Sequence, residues 1–105
     1  MGTDRKDFRR WCCWLKKEFP SCYPVRILLL PNDKMPVAHD GQCTATPERR
    51  FTIKIRDGLD WQATQETLFE EWSHLLRFHL WQVEGEEHDA IYGAIYNTIK
   101  ARWHG

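Results

Sequence analysis

The sequence predicts an α+β fold. Three stretches carry apolar residues at helical spacing, one near each end of the chain and one in its centre. Two short runs rich in β-branched and aliphatic residues lie between the first helix and the second. Proline, glycine and aspartate mark the joints. The order helix, strand, loop, strand, helix, helix suits a layer of helices on a small sheet. With 105 residues the chain reads as a single domain, 1–105, with a small core.

Composition narrows the function classes. Hydrophobic residues make up 42% and charged residues 29%, which fits a folded chain rather than a disordered one. Formal net charge is zero, so no global basic field points to nucleic acid. No apolar run reaches membrane-spanning length, so no membrane partner is expected. The opening residues 1–6 lack the apolar segment of a secretory signal, which makes the cytoplasm the expected location. Cys12, Cys13, Cys22 and Cys43 show no C-x-x-C spacing and read as reduced packing thiols, with a Cys22–Cys43 disulfide as the alternative.

The first helix is expected over residues 3–19, capped by Thr3 or Asp4 and ended by Pro20. Phe8, Trp11, Cys12 and Leu15 form its apolar stripe, while Arg5, Lys6, Arg9, Arg10, Lys16 and Lys17 make it locally basic. It is read as a cover on a sheet, or else as a basic surface for a phosphate-bearing partner. Residues 25–30, between Pro24 and Pro31, read as a buried strand. A loop follows to residue 45 and contains His39, read first as a plain loop histidine, with a metal ligand or substrate contact as the lesser alternative. Over residues 48–56, Phe51, Ile53 and Ile55 face one way and Arg50, Thr52, Lys54 and Arg56 the other, a half-buried strand with a partner near residues 41–44. Asp57 and Gly58 turn the chain.

The central helix starts at Asp60 or Thr64 and runs to about Val83, where Gly85 breaks it. At about 100° per residue, Leu68, Trp72, Leu75, Leu76 and Val83 share a broad apolar face, with Phe69 and Leu80 at its margin. His79 falls in that face and reads as a core or edge histidine. Glu70 and His74 stand one turn apart on the opposite flank, with Glu71 beside them. Phe78 and Trp81 share that flank. A solvated flank does not normally carry them, so it is expected to be covered, as an aromatic wall of a site or as packing under the last helix. That helix begins at residues 86–89 with acids in its first turn, and Ile91, Ala94, Ile95 and Ile99 form its stripe.

A carboxylate and an imidazole one turn apart reproduce the spacing of the H-E-x-x-H zinc helix, except that the first histidine is Glu70. An ordinary solvated helix face with the same spacing is the competing reading. The third donor must come from elsewhere, and His88 is the candidate: two antiparallel helices joined by a short turn bring it back towards His74. Glu70, His74 and His88 would supply one oxygen and two nitrogens, leaving a fourth position for water, as in a catalytic zinc site. Glu71 would be the general base, a role that contributes roughly 10²–10⁴-fold. Tyr92 and Tyr96 fit oxyanion donors and packing residues equally well.

The stretch from Glu66 to His74 resembles the E-T-L-x-H-E-W-A-H segment of the SprT-like minimal zinc metallopeptidases, particularly the short versions found in phages and prophages. His88 follows His74 after thirteen residues, close to the family's gap, and opens a stretch through Tyr96 that resembles its third-ligand helix. Gly41 to Cys43 and the alternating strand at 51–55 resemble its short sheet, so the likeness spans residues 25–103. It implies a minimal zincin-like fold: an N-terminal helix, a small sheet, a central metal-site helix and a C-terminal helix. It also implies one zinc and peptide hydrolysis, with Glu71 as base and His74 and His88 as ligands. Glu70 stands at the first-ligand position. A carboxylate there adds negative charge, weakens the metal as a Lewis acid and shifts preference towards harder ions such as manganese.

Three functions compete on these residues. One is a metal-dependent peptidase, in the host cytoplasm for a phage-encoded chain, with peptide laid along a sheet edge. Another is a catalytically inactive module of the same fold that binds or assembles with proteins. The third is a nucleic-acid-associated domain using the first helix and the strand face of Arg49, Arg50, Lys54 and Arg56. The number of copies in the functional assembly is left open.

Overall fold

A computed structural model describes residues 4–35, 39–81 and 89–104. The expectations for the side chains of His79, Leu80 and Trp81, for Val83, for Gly85 as a helix breaker, for residues 86–88 as the start of the last helix and for His88 lie outside the described residues.

Helix α1 (Arg5–Glu18) is capped by Asp4, whose Oδ1 accepts from the Lys6 N–H at 2.8 Å. Asp7 in its first turn and Lys16 and Lys17 in its last complement the helix dipole. Phe8, Trp11 and Leu15 form its buried stripe. The Phe19 N–H closes the helix on the Leu15 carbonyl at 2.8 Å, and Pro20 prevents continuation.

Strands β1 (Val25–Leu30), β2 (Gly41–Ala45) and β3 (Phe51–Arg56) form one sheet in the order β1-β3-β2. β1 runs parallel to β3 from Val25↔Phe51 to Leu30↔Arg56, and β2 runs antiparallel to β3 from Gly41↔Ile55 to Ala45↔Phe51. The centre goes to β3, whose alternation matches a sheet with one packed face: Phe51, Ile53 and Ile55 are buried and their neighbours half-buried. β1 departs from the expected buried strand. It lies at the edge, and none of its residues is buried despite the run of aliphatic side chains. A continuous apolar run gives no sign of which strand takes the middle, and neighbours on both sides are available to β3 alone.

Helix α2 (Trp61–Trp81) is capped by Asp60, whose Oδ1 accepts from the Ala63 N–H at 2.8 Å; Thr64 lies inside the helix and donates to the Asp60 carbonyl at 2.9 Å. Helix α3 (Ala90–His104) follows. α2 packs on β2, β3, α1 and α3 and so forms the middle of the molecule. Leu68, Phe69, Trp72, Leu75 and Leu76 meet Phe8, Trp11 and Leu15 from α1, Phe51, Ile53 and Ile55 from β3, and Ile99 from α3. The indoles bind the layers together. Trp72 Nε1 donates to the Phe19 carbonyl at 3.0 Å. With its amide oxygen turned to the two indoles, buried Gln65 accepts from Trp103 Nε1 at 3.1 Å and Trp11 Nε1 at 3.3 Å. No helix among the described residues is long and apolar enough to cross a membrane.

All four cysteines are free thiols; Cys13 and Cys22 are exposed, and Cys12 and Cys43 are half-buried. Burial pushes the Cys12 thiol up from its ordinary 9.0 to about 12, against a smaller opposing pull from Lys16. The folded state therefore holds this proton more tightly than the unfolded chain. That contribution to stability is intact below about pH 9 and is lost as pH rises towards 12. Under native iodoacetamide treatment near neutral pH, mass mapping is expected to find Cys13 and Cys22 modified and Cys12 intact. Equal labelling of Cys12 would contradict its burial.

Candidate active site

The flank of α2 opposite its apolar face is not solvated. Glu71 and His74 are each 5% exposed, Arg77 is 2% exposed and Ser73 is fully buried, while Glu70 is half-buried. The expected cover exists, and it comes from two sides.

On one side stands β2. A Cβ built on Gly41 would fall 2.6 Å from Thr67 Cγ2, 3.0 Å from Glu71 Cγ and 3.1 Å from Glu71 Oε2. Only glycine lets the strand come this close, so its missing side chain forms the cradle in which the Glu71 carboxylate lies. Gly41→Ala is expected to displace Thr67 and Glu71 and to destabilise the fold by about 1–3 kcal/mol. Thr67→Ser removes the nearest obstructing methyl and should recover part of the loss in the double variant. Thermal melts of the two variants decide this, and an unchanged melting temperature for Gly41→Ala would refute the close approach.

On the other side stands α3. The Tyr92 ring stacks on the His74 imidazole at 4.5 Å and 27°, and Tyr96 stacks on Tyr92 at 5.8 Å and 15°. Burial first, then the charges of Glu70 and Glu66, push the Tyr96 phenol up to about 12. Tyr92 and Tyr96 thus face the acidic row of α2. Their sequence spacing left packing and catalysis equally open, and the stacking gives Tyr92 a positioning contact with His74.

Arg77 and Asp89, absent from the expected site, fix this arrangement. Arg77 Nε lies 3.1 Å from both Asp89 carboxylate oxygens and Nη2 lies 2.7 Å from Oδ2. Asp89 Oδ1 also accepts from the Tyr92 N–H at 2.9 Å and so caps α3. The Arg77 hydrogen bond, followed by that cap, holds the Asp89 carboxyl below the usual carboxylate range. The pair pins the start of α3 to α2 less than one helical turn from His74. In the sequence Asp89 counts only among the acids that open the last helix, and nothing marks Arg77 as its partner.

Phe78 reaches the sheet. Its ring meets Phe51 edge-on at 5.3 Å, and the Arg49 guanidinium lies 5.7 Å from its centroid. It is core packing at the start of β3. His39 is exposed, and its carbonyl accepts from Arg56 Nη2 at 2.7 Å. Arg56 also reaches Asp40 and Asn32, and Arg49 donates to the Tyr23 hydroxyl at 3.1 Å. Two of the four cations suggested for a nucleic-acid face are therefore engaged within the fold.

Of the expected metal ligands, Glu70 and His74 lie one turn apart on α2, and His88 lies outside the described residues. Among the described residues, no group of three His, Cys, Asp or Glu side chains comes together. The donor chemistry present fits a divalent ion in part: one oxygen and one nitrogen ligand, with a buried carboxylate next to them. Comparison with family models, with curated proteins and with solved structures finds no match for this chain.

Proposed function

We propose that this chain is a metal-dependent peptide hydrolase of minimal zincin type, akin to the SprT-like metallopeptidases, acting in the cytoplasm. Glu70, His74 and His88 hold the metal, zinc or a harder divalent ion such as manganese, and Glu71 is the general base. The observation that carries this reading is the buried Glu71 carboxylate, lodged against Gly41 and three residues from a buried histidine. A carboxylate is normally kept out of a core unless its chemistry is used or compensated.

When bound, the metal would supply Lewis acidity towards a peptide carbonyl and towards water. Glu71 takes a proton from the attacking water and passes it to the leaving amine. Tyr92, stacked on His74, holds the imidazole plane. β2 pairs with β3 along one edge, and its other edge has no strand partner among the described residues. That edge adjoins Glu71 through Gly41, so an extended substrate peptide can add to β2 with its scissile bond near the base.

Glu70 favours a second reading, a catalytically inactive binding or assembly module on the same fold. Elemental mass spectrometry of the tag-free protein separates the two. About one equivalent of zinc or manganese in the wild type, lost in His74→Ala and His88→Ala, is the expected result. No metal after incubation with either ion would overturn the enzyme reading and leave the binding module.

A further inference from the structure

The sheet edge remote from Glu71 carries a different feature. A groove of about 480 Å³ lies between α1 and β1. Residues 25–29 line one wall, and Arg5, Phe8, Arg9, Cys12 and Lys16 of α1 line the other. Four of these residues, Arg5, Arg9, Lys16 and Arg26, are cationic and none is acidic. Arg5 reaches Asp57 at 3.2 Å, across an exposed contact; Arg9, Lys16 and Arg26 make no ion pair among the described residues. β1 pairs only with β3 among the described strands, and its aliphatic side chains are half-buried. An apolar edge strand of this kind is normally blunted by charge or covered. Here the single charge on the strand is Arg26, which by alternation points to the face away from α1.

We propose that this groove takes an extended segment of a partner protein in which acidic and apolar residues alternate, added to β1 as a fourth strand. The dimensions agree. Side chains on one face of a strand recur every two residues, about 6.7 Å apart. Arg5 and Arg9 are separated by four helical residues, about 6 Å along α1, and the cationic row from Arg5 to Lys16 spans about 16 Å. Five extended residues cover about the same length. Acidic side chains of such a segment meet the α1 cations on the face of the sheet that α1 covers, while the alternate apolar ones lie on the opposite face beside the half-buried Leu28 and Leu30. A second copy of this chain is a poorer occupant, because pairing β1 with β1 brings Arg26 and the α1 rows of two molecules together. Nucleic acid is also a poorer occupant, because the groove offers an aliphatic wall and a strand edge but no exposed aromatic platform for bases. The proposal does not depend on the metal reading, which concerns the β2 edge.

The test uses the full chain and a blocked, fluorescein-labelled eight-residue peptide of alternating glutamate and valine. Polarisation titration is expected to show saturable binding that weakens with salt, and amide spectra should place the largest shifts within residues 25–30. Arg9→Glu combined with Lys16→Glu changes exposed positions of the α1 row, so the fold should persist by circular dichroism while affinity falls at least about tenfold. The proposal is overturned by any of four results: no saturation up to about 1 mM peptide, equal binding of an alternating lysine and valine peptide, tighter binding of single-stranded oligothymidine in the same groove, or shifts at residues 25–30 that track protein concentration without peptide. The last of these would assign the edge to a second copy.

Discussion

Trp72→Ala is expected to lower the melting temperature by about 15 °C or more, the largest stability effect among single substitutions considered for this fold. Trp72 is fully buried at the point where α2 meets α1, and its indole N–H donates to the Phe19 carbonyl just beyond the end of α1. Truncation removes the packed ring, leaves a cavity between the helices and leaves that carbonyl without its donor. Losses of this type amount to about 3–5 kcal/mol, against a total stability of about 5–15 kcal/mol for a small domain. Trp72→Phe separates the terms. It keeps most of the apolar volume and gives up the hydrogen bond, so its loss should be nearer 1–2 kcal/mol. Chemical denaturation with both variants measures the difference. If Trp72→Ala melts within a few degrees of the wild type, α1 is not anchored through this indole.

The contrast between Trp72 and its neighbours on α2 shows what was legible in the sequence. Positions whose environment follows from periodicity alone were readable: the alternation of Phe51, Ile53 and Ile55, the stripe of α1, and the apolar face holding Leu68, Trp72 and Leu75. The limits of β1 were readable too, bounded by Pro24 and Pro31, but its edge position was not. Strand order depends on which neighbours compete for each edge, and an aliphatic run satisfies either place. The polar flank of α2 shows the same limit more sharply. Helical angles put Glu70, Glu71 and His74 on adjacent rows, yet nothing in their spacing shows that Glu71 meets a strand glycine while Glu70 faces the tyrosines of α3. Gly41 was legible as the start of a strand but not as the cradle of Glu71, and nothing in the sequence singled out Arg77. Both acquire their meaning from a partner far along the chain, Glu71 for one and Asp89 for the other.

The second large effect concerns Glu71 and Glu70 together. Under the proposed hydrolase, Glu71→Gln keeps the shape that fits the Gly41 cradle and removes the proton acceptor. Turnover of a peptide substrate should fall by roughly 10²–10⁴-fold with metal content unchanged. Glu70→His acts in the opposite direction. It replaces an anionic ligand with a neutral one, which strengthens the Lewis acid, and it removes a charge that helps hold the Tyr96 phenol protonated. Turnover should rise, and the acid limb of its pH profile should move to lower pH, because water activated by a stronger Lewis acid loses its proton at lower pH. Kinetics and elemental analysis of the two variants in parallel give distinct patterns. Loss in one and gain in the other, with metal in both, is the pattern of a hydrolase tempered by Glu70. Undiminished turnover in Glu71→Gln would trace the activity to a contaminant. Metal bound by Glu70→His without any turnover would mean that the fold keeps the ligand geometry of a peptidase and uses it only for binding.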